Sequence, residues 1–197
     1  MAYTMNRENA RVYKGLLSGV WAAPKGSTLP TITDVVSLKA DPEAPFAPLG
    51  WLGDDGIKTN REQDFEEYRA SQNGSLVLKL ATETTQTWTF VAMEETAVTL
   101  GLIYGADALS DAGSASGVVK IDRVKNESKL QERALVIDAE GHDGTFERTL
   151  VSAASVEMSG EITVHHASDM RMYEFTATAL AGAVVETYTN AAGLTVA

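Results

Sequence analysis

Arg133–Val151 reads RALVIDAEGHDGTFERTLV, and this stretch decides the fold. Two apolar runs, Arg133–Ala139 and Phe146–Val151, flank Gly141-His142-Asp143-Gly144, whose Asp-Gly step is a tight-turn signal, so the stretch predicts an antiparallel hairpin. The same grammar of short apolar runs between Gly, Asn, Asp and Ser extends in both directions. Downstream it predicts strands at Gly160–His165, at Arg171–Ala179, where Tyr173, Phe175, Ala177 and Ala179 share a face, and at Val184–Tyr188. Upstream it predicts Val118–Val124, followed by the polar connection KNESKLQE over 125–132. Near the N-terminus, Gly15–Ala23 is a first strand that Pro24-Lys25-Gly26 ends.

Two further strands flank another turn. Asn73-Gly74 closes a hairpin whose second arm alternates Leu76, Leu78 and Leu80 with Val77, Lys79 and Ala81, and a separate short strand is expected at Trp88–Ala92 after Thr84-Thr85. The first arm, Ile57–Arg69, has an unusual polarity: Lys58, Asn60, Glu62, Asp64, Glu66 and Tyr68 fall on one face. A core-facing strand could not carry three unpaired carboxylates in alternation, so that face is solvated. One helix is predicted, over about 94–105, with Glu94 and Glu95 at its positive end, Met93, Ala97, Leu100 and Tyr104 along one face, and Gly105 as its terminator. Gly101 inside it costs about 1 kcal/mol relative to Ala, so tertiary packing has to hold this helix. All five prolines lie in 23–48, which reads as an extended surface loop. The expected architecture is mainly β: a β-sandwich or rolled antiparallel sheet with one packed helix. It forms a single domain, 1–197, with a polar arm at 1–14, the Pro-rich loop at 23–48, and a last strand and tail at 181–197.

Composition excludes several function classes. With no cysteine among 197 residues there is no thiolate nucleophile and no cysteine-based metal site. A net charge of −11 and a pI of about 4.7 argue against a groove that grips phosphates. No run approaches the roughly 18 apolar residues of a membrane span, so no membrane insertion is expected. MAYTMNRENARVYKG lacks the apolar segment of a secretory signal, which points to synthesis in a reducing cytosol. His165-His166 with Asp169 is a weak metal candidate, because neighbours in a strand point to opposite faces. Gly50-Trp51-Leu52-Gly53-Asp54-Asp55-Gly56 is neither a phosphate loop nor a dinucleotide fingerprint. The pairs Asp54-Asp55, Glu66-Glu67 and Glu94-Glu95 are the solvated surface of an acidic chain. No catalytic residue, metal ligand or cofactor site emerges.

Four segments carry a resemblance by their order: LGWLGDDGI (49–57), TWTFVAMEETAVTLGLIYG (87–105), RALVIDAEGHDGTFERTLVSAASVEMSGEIT (133–163) and MYEFTATAL (172–180). In that order they resemble the major tail tube proteins of long-tailed bacteriophages, particularly siphophages of actinobacteria. The resemblance implies a structural virion protein, six copies of which form a ring whose inner sheets join in one barrel, with rings stacked into a tube through which DNA passes. It implies as partners further copies of the chain, a tape-measure protein, a tail terminator and tail tip proteins, and no cofactor. A long loop and terminal arms bridge subunits in this family. The corresponding segments are the loop residues Lys39, Asp41, Pro42, Glu43, Pro45, Phe46 and Pro48, and the arm residues Tyr3, Arg7 and Arg11. Glu62, Asp64 and Glu66 become candidates for the lumen wall, where carboxylates repel sliding phosphates, the alternative being an exposed strand on the outer surface. Six copies at −11 each give a ring of about −66, past which DNA can travel without adhering. Two alternatives stand beside this: another virion component of related fold, such as a terminator or decoration protein, and a carbohydrate-binding β-sandwich module using Trp21, Trp51 and Trp88.

Overall fold

The computed structural model describes residues 11–191 apart from 14, 16, 73, 112–117, 125–129 and 163–169. It is mainly β. Ten strands are described: β1 (Gly19–Pro24), β2 (Ala47–Pro48), β3 (Lys58–Arg69), β4 (Leu76–Ala92), β5 (Leu109–Asp111), β6 (Val119–Ile121), β7 (Gln131–Glu140), β8 (Phe146–Met158), β9 (Tyr173–Ala179) and β10 (Val185–Thr189). Two short α-helices accompany them, α1 (Val35–Lys39) and α2 (Ala97–Tyr104). Eight strands form one antiparallel sheet in the order β2-β1-β7-β8-β9-β4-β3, with β10 also on β8, and β5 pairs with β6 separately.

The decisive hairpin is β7–β8, longer at both ends than its sequence suggests, with Gly144 at φ +79° in the turn. On β8, Ala154–Met158 pairs with β9 and Glu147–Val151 with β10, so β9 and β10 run one after the other along the same strand. Alternation then gives β1, β7 and β8 two buried faces. Val20, Leu135, Ile137, Val151 and Val156 join Trp88, Phe90, Phe175 and Leu102 in the main core. On the opposite face Ala23, Ala134, Val136 and Leu150 pack with Phe46. That second face also holds an ion pair, with both side chains 1% exposed: Arg148 donates to both Asp138 oxygens at 2.7 and 2.6 Å. Burial pushes the Asp138 carboxyl above its ordinary range, with Arg148 opposing.

The Pro-rich segment is not simply extended. Asp34 caps α1 through a reciprocal bond set with Ser37, Leu38 is buried, Phe46 enters the second core, and Ala47–Pro48 pairs with β1. Arg148 reaches the Ser37 carbonyl at 3.4 Å, and Lys39 Nζ the Gly144 carbonyl at 3.0 Å, so the loop is fastened to the β7–β8 end.

Other expectations shift as well. The helix begins at Ala97, because Thr96 Oγ1 accepts the Thr99 N–H and so caps it; Glu94 and Glu95 precede it. Its buried residues are Thr99, Gly101 and Leu102, not the Ala97, Leu100 and Tyr104 stripe. Gly105, at φ +89°, terminates it as expected. The two strands expected at 76–81 and 88–92 are one strand of 17 residues, since Thr84-Thr85 suits a pleated backbone and does not break it. Residues 160–162 are not strand; the rest of that expected segment, His165-His166 and Asp169 lie outside the described residues.

Candidate functional site

The hairpin β3–β4 and the sheet face continuous with it form the site. Directly paired residues of an antiparallel sheet share a face, so the register reads off what each face carries. One face bears Trp88, Phe90 and Ala92 of β4 with Ala177, Phe175 and Tyr173 of β9, and belongs to the core. The other carries the rows Glu157–Thr176–Thr89–Lys58 and Ser155–Thr178–Thr87–Asn60 across β8, β9, β4 and β3. Beyond β9 the same face continues as Thr85–Glu62, Glu83–Asp64 and Leu80–Glu66.

Glu62, Asp64 and Glu66 therefore stand together on the exposed face turned from the core, as the alternation predicted. The structure adds Glu83, Glu157 and Glu174, which sequence reading missed. Asp64 lies directly opposite Glu83, an arrangement of like charges that costs stability. Among the paired residues of that hairpin face the one cation is Lys58, 3.6 Å from Asp55, and Glu62 accepts a bond from Asn60 at 2.8 Å. Register is what identifies Glu83. Pairing is shifted between Asp64 and Phe65 and again between Tyr68 and Arg69, leaving Thr82 and Val77 outside the ladder. Each such bulge exchanges the faces of all that follows, which composition and turn position do not reveal.

Every residue of β3 is exposed, as is β4 from Leu76 to Thr84. At about 3.3 Å per residue this arm extends roughly 30 Å past the end of β9. It exposes Phe65, Tyr68, Leu76, Val77, Leu78 and Leu80, with Lys79 over the Phe65 ring at 4.4 Å and Glu67 bridging Arg69 and Lys79 at 2.8 and 3.4 Å. Those cations and their hydrogen bonds hold the Glu67 carboxyl below the usual range. Among the described residues β3 pairs only with β4, and none pairs with its outer edge. An open cleft of about 630 Å³ is lined by Arg61, Glu83, Gln86, Thr178, Leu180 and Val185.

The loop and arm candidates converge elsewhere. Lys39 is held at the β7–β8 turn, Phe46 is buried in the chain's own core and is unavailable to another molecule, and Asp41, Glu43, Pro45 and Pro48 are exposed. Tyr3 and Arg7 lie outside the described residues. Just after Arg11, the Val12 carbonyl accepts from His142 N–H at 3.1 Å and Tyr13 bridges Gly141. Asn190 meets the same turn, accepting from Phe146 N–H at 2.6 Å. Val12, Tyr13 and Asn190 thus lie beside the turn that holds the loop.

Among the described residues no cluster of three or more His, Asp or Glu is placed to hold a metal ion. Nor is any described helix long and apolar enough to cross a membrane. Trp88 is buried and Trp21 half-buried against the second core, so of the three tryptophans only Trp51 faces solvent, which weakens the carbohydrate-stacking alternative.

A family model described as phage tail tube protein matches residues 3–190. No curated protein sequence matches. Solved structures that align with the chain include the tail of an empty GTA particle, at 9% identity over 89% of this chain and 99% of that one, TM-score 0.40. Another is the tube-terminating cap of the anti-feeding prophage, at 10% identity over 91% and 94%, TM-score 0.39. A third is the sheath-tube complex of an extracellular contractile injection system, at 12% identity over 70% and 84%, TM-score 0.33.

Proposed function

The chain belongs to the phage tail tube protein family, and from that premise we propose that it is the major subunit of the tube in a long-tailed, siphovirus-type phage similar to those of actinobacteria. The family is structural, not enzymatic, and its members are virion components. In this reading 1–197 is one tube domain, made in the bacterial cytoplasm. Six copies close into a ring, rings stack, and DNA passes through the bore. The tape-measure, terminator and tip proteins meet the tube inside and at its ends.

One observation carries the reading: Glu62, Asp64, Glu66 and Glu83 crowd the face of the sheet turned from the core, with Asp64 opposing Glu83. Within a monomer that crowding only costs stability. Lining a bore, it becomes useful, because carboxylates repel phosphates while Thr87, Thr89, Thr176 and Thr178 keep the wall hydrated; lysines there would hold DNA by releasing its counterions. The open edge of β3 supports ring closure. A 12-residue unpaired edge invites another strand, and a neighbouring copy in a closed ring satisfies it without runaway pairing. The exposed loop residues Asp41, Glu43, Pro45 and Pro48, with half-buried Pro42 between them and Lys39 at their base, and the arm residues Tyr3, Arg7 and Arg11 are proposed as further contacts between subunits.

Electron cryomicroscopy of the purified chain tests this. Six-fold rings stacked into tubes with Glu62, Asp64 and Glu66 on the bore are expected. Tubes carrying these side chains on their outer wall overturn the lumen assignment, and monomers that never assemble overturn the tube.

A further inference from the structure

β10 is paired on one side. Val185–Thr189 runs antiparallel to Glu147–Val151 of β8, and among the described residues no strand pairs with its other edge. The parity of that edge is fixed. Ser152 N–H donates to the Val184 carbonyl at 2.9 Å and Asn190 N–H to the Phe146 carbonyl at 3.3 Å, so the even positions bond to β8. Backbone groups alternate in direction along an antiparallel ladder, which turns the N–H and C=O of Val185, Thr187 and Thr189 outward. Native folds cover or blunt such an edge.

Beyond Asn190 the sequence reads AAGLTVA (191–197), of which 192–197 lie outside the described residues. The chain bends as it leaves β10: Ala191 N–H donates to Thr189 Oγ1 at 3.1 Å, the bond of a threonine turn. Four residues, Asn190-Ala191-Ala192-Gly193, are a common length for a hairpin loop. That loop sets Leu194 opposite Thr189, Thr195 opposite Tyr188, Val196 opposite Thr187 and Ala197 opposite Glu186. Thr187 and Thr189 are outward-bonding positions, so each can exchange backbone hydrogen bonds with the returning segment.

Side chains agree with this register, because paired residues share a face. Val185 pairs with Val151 of the main core and Thr187 with Thr149, their hydroxyls 3.0 Å apart, so Leu194 and Val196 fall on the main-core side. Thr195 falls with Tyr188 and Glu186, whose side chains bond to each other at 2.6 Å. Leu-Thr-Val thus alternates as a half-buried strand does. The segment carries no charge, so pairing it on β10 desolvates no ion. After Glu186 the next position along β10 is Val185, which lines the open cleft with Leu180, Ala181 and Ala183, so the path of the segment leads to open space.

We propose that Leu194–Ala197 is the missing partner of β10, folded back as an antiparallel strand on its outer edge within the same chain. A covered β10 leaves edge pairing between copies to the β3–β4 arm. This docking is independent of whether rings form.

Hydrogen exchange followed residue by residue by NMR on the unassembled chain tests it. Deleting 192–197 should speed exchange at the Thr187 and Thr189 amides at least about tenfold, while Glu186 and Tyr188, bonded to β8, change by less than about twofold. Thr187 and Thr189 exchanging in the full chain as fast as in the deletion variant overturns the proposal. Protection that survives the deletion overturns it too, and gives the edge to another segment. Protection that rises with protein concentration means that a second copy covers the edge, and likewise overturns it. If the deletion variant fails to fold, a cysteine pair decides, since the chain has no native cysteine. Glu186→Cys with Ala197→Cys should oxidise to an intramolecular disulfide, whereas Glu186→Cys with Val196→Cys, which places the thiols on opposite faces, should not. Equal yields from the two pairs, or disulfide-linked dimers, overturn the proposal.

Discussion

β8 and β4 are the two longest strands, and they are specified by different things. β8 has Leu150 in one core and Val151 in the other, so its neighbours within the chain determine nearly every position. β4 begins the same way at its C-terminal end, with Trp88, Phe90 and Ala92 buried, then runs out past β9 into solvent with leucines on both sides of a two-stranded ribbon. An isolated hairpin is marginal in water, and none of the described residues outside the hairpin covers this one. The contrast separates what folds the subunit from what, in the proposed tube, joins subunits: sequence spent on β8 stabilises a monomer, while the distal β4 adds little to it and is proposed to act when another copy arrives.

The sharpest test of the contrast is at the buried ion pair. Arg148→Ala leaves Asp138 buried without its partner and should cost about 3–5 kcal/mol in urea unfolding. Replacing the pair together, Arg148→Met with Asp138→Leu, should recover most of that. Leu78→Ala on the distal hairpin should change monomer stability by no more than about 0.5 kcal/mol while impairing assembly. A loss at Leu78 comparable to that at Arg148 would show the arm packed on its own body and dissolve the distinction.

The Pro-rich loop is the intermediate case, exposed at Asp41 and Glu43 but anchored by Phe46. Phe46→Ala should cost about 3–5 kcal/mol, read as a lower melting temperature. Removing Lys39–Pro48 deletes that anchor and the pairing of β2 with Trp21 and Ala22, so it should unfold the chain or nearly so. A melting temperature unchanged by the deletion would place the loop with the hairpin, outside the folding unit.

On the polar face the expected sign reverses. Asp64→Asn removes a like-charge opposition to Glu83 and should stabilise the monomer by about 0.2–1 kcal/mol, an effect that fades as salt is added. Destabilisation by Asp64→Asn would mean that the carboxylate has a partner and that the face is not held under repulsion.

The difference between the strands also explains what the sequence made legible. Where one chain supplies both partners, local signals suffice: Asp143-Gly144 located the β7–β8 turn, and alternation placed Glu62, Asp64 and Glu66 on one face. Three features escaped for physical reasons. The alternating leucines at 76, 78 and 80 look like a core strand, yet no described residue covers them. The bulges opposite Phe65 and Tyr68 interchange faces, hiding Glu83. Glu94 and Glu95 resemble a helix start, but one carboxylate ties down Trp51 and the other accepts from Tyr173 and Arg171, leaving the cap to Thr96.

The smallest expected effect lies at Glu95. Tyr173 Oη donates to Glu95 Oε2 at 2.5 Å and Arg171 at 2.6 Å, and these bonds hold the Glu95 carboxyl below its ordinary value. A carboxylate whose folded value is depressed contributes stability above its unfolded value of about 4.3, and loses that contribution as pH falls through the folded one. Because Glu95 is largely exposed, screening keeps the contribution under about 1 kcal/mol. Stability of the wild-type monomer should thus fall more steeply than that of Glu95→Gln as pH drops from about 5 towards 3. A pH profile of Glu95→Gln that runs parallel to that of the wild type would show that this carboxylate draws no stability from Tyr173 and Arg171.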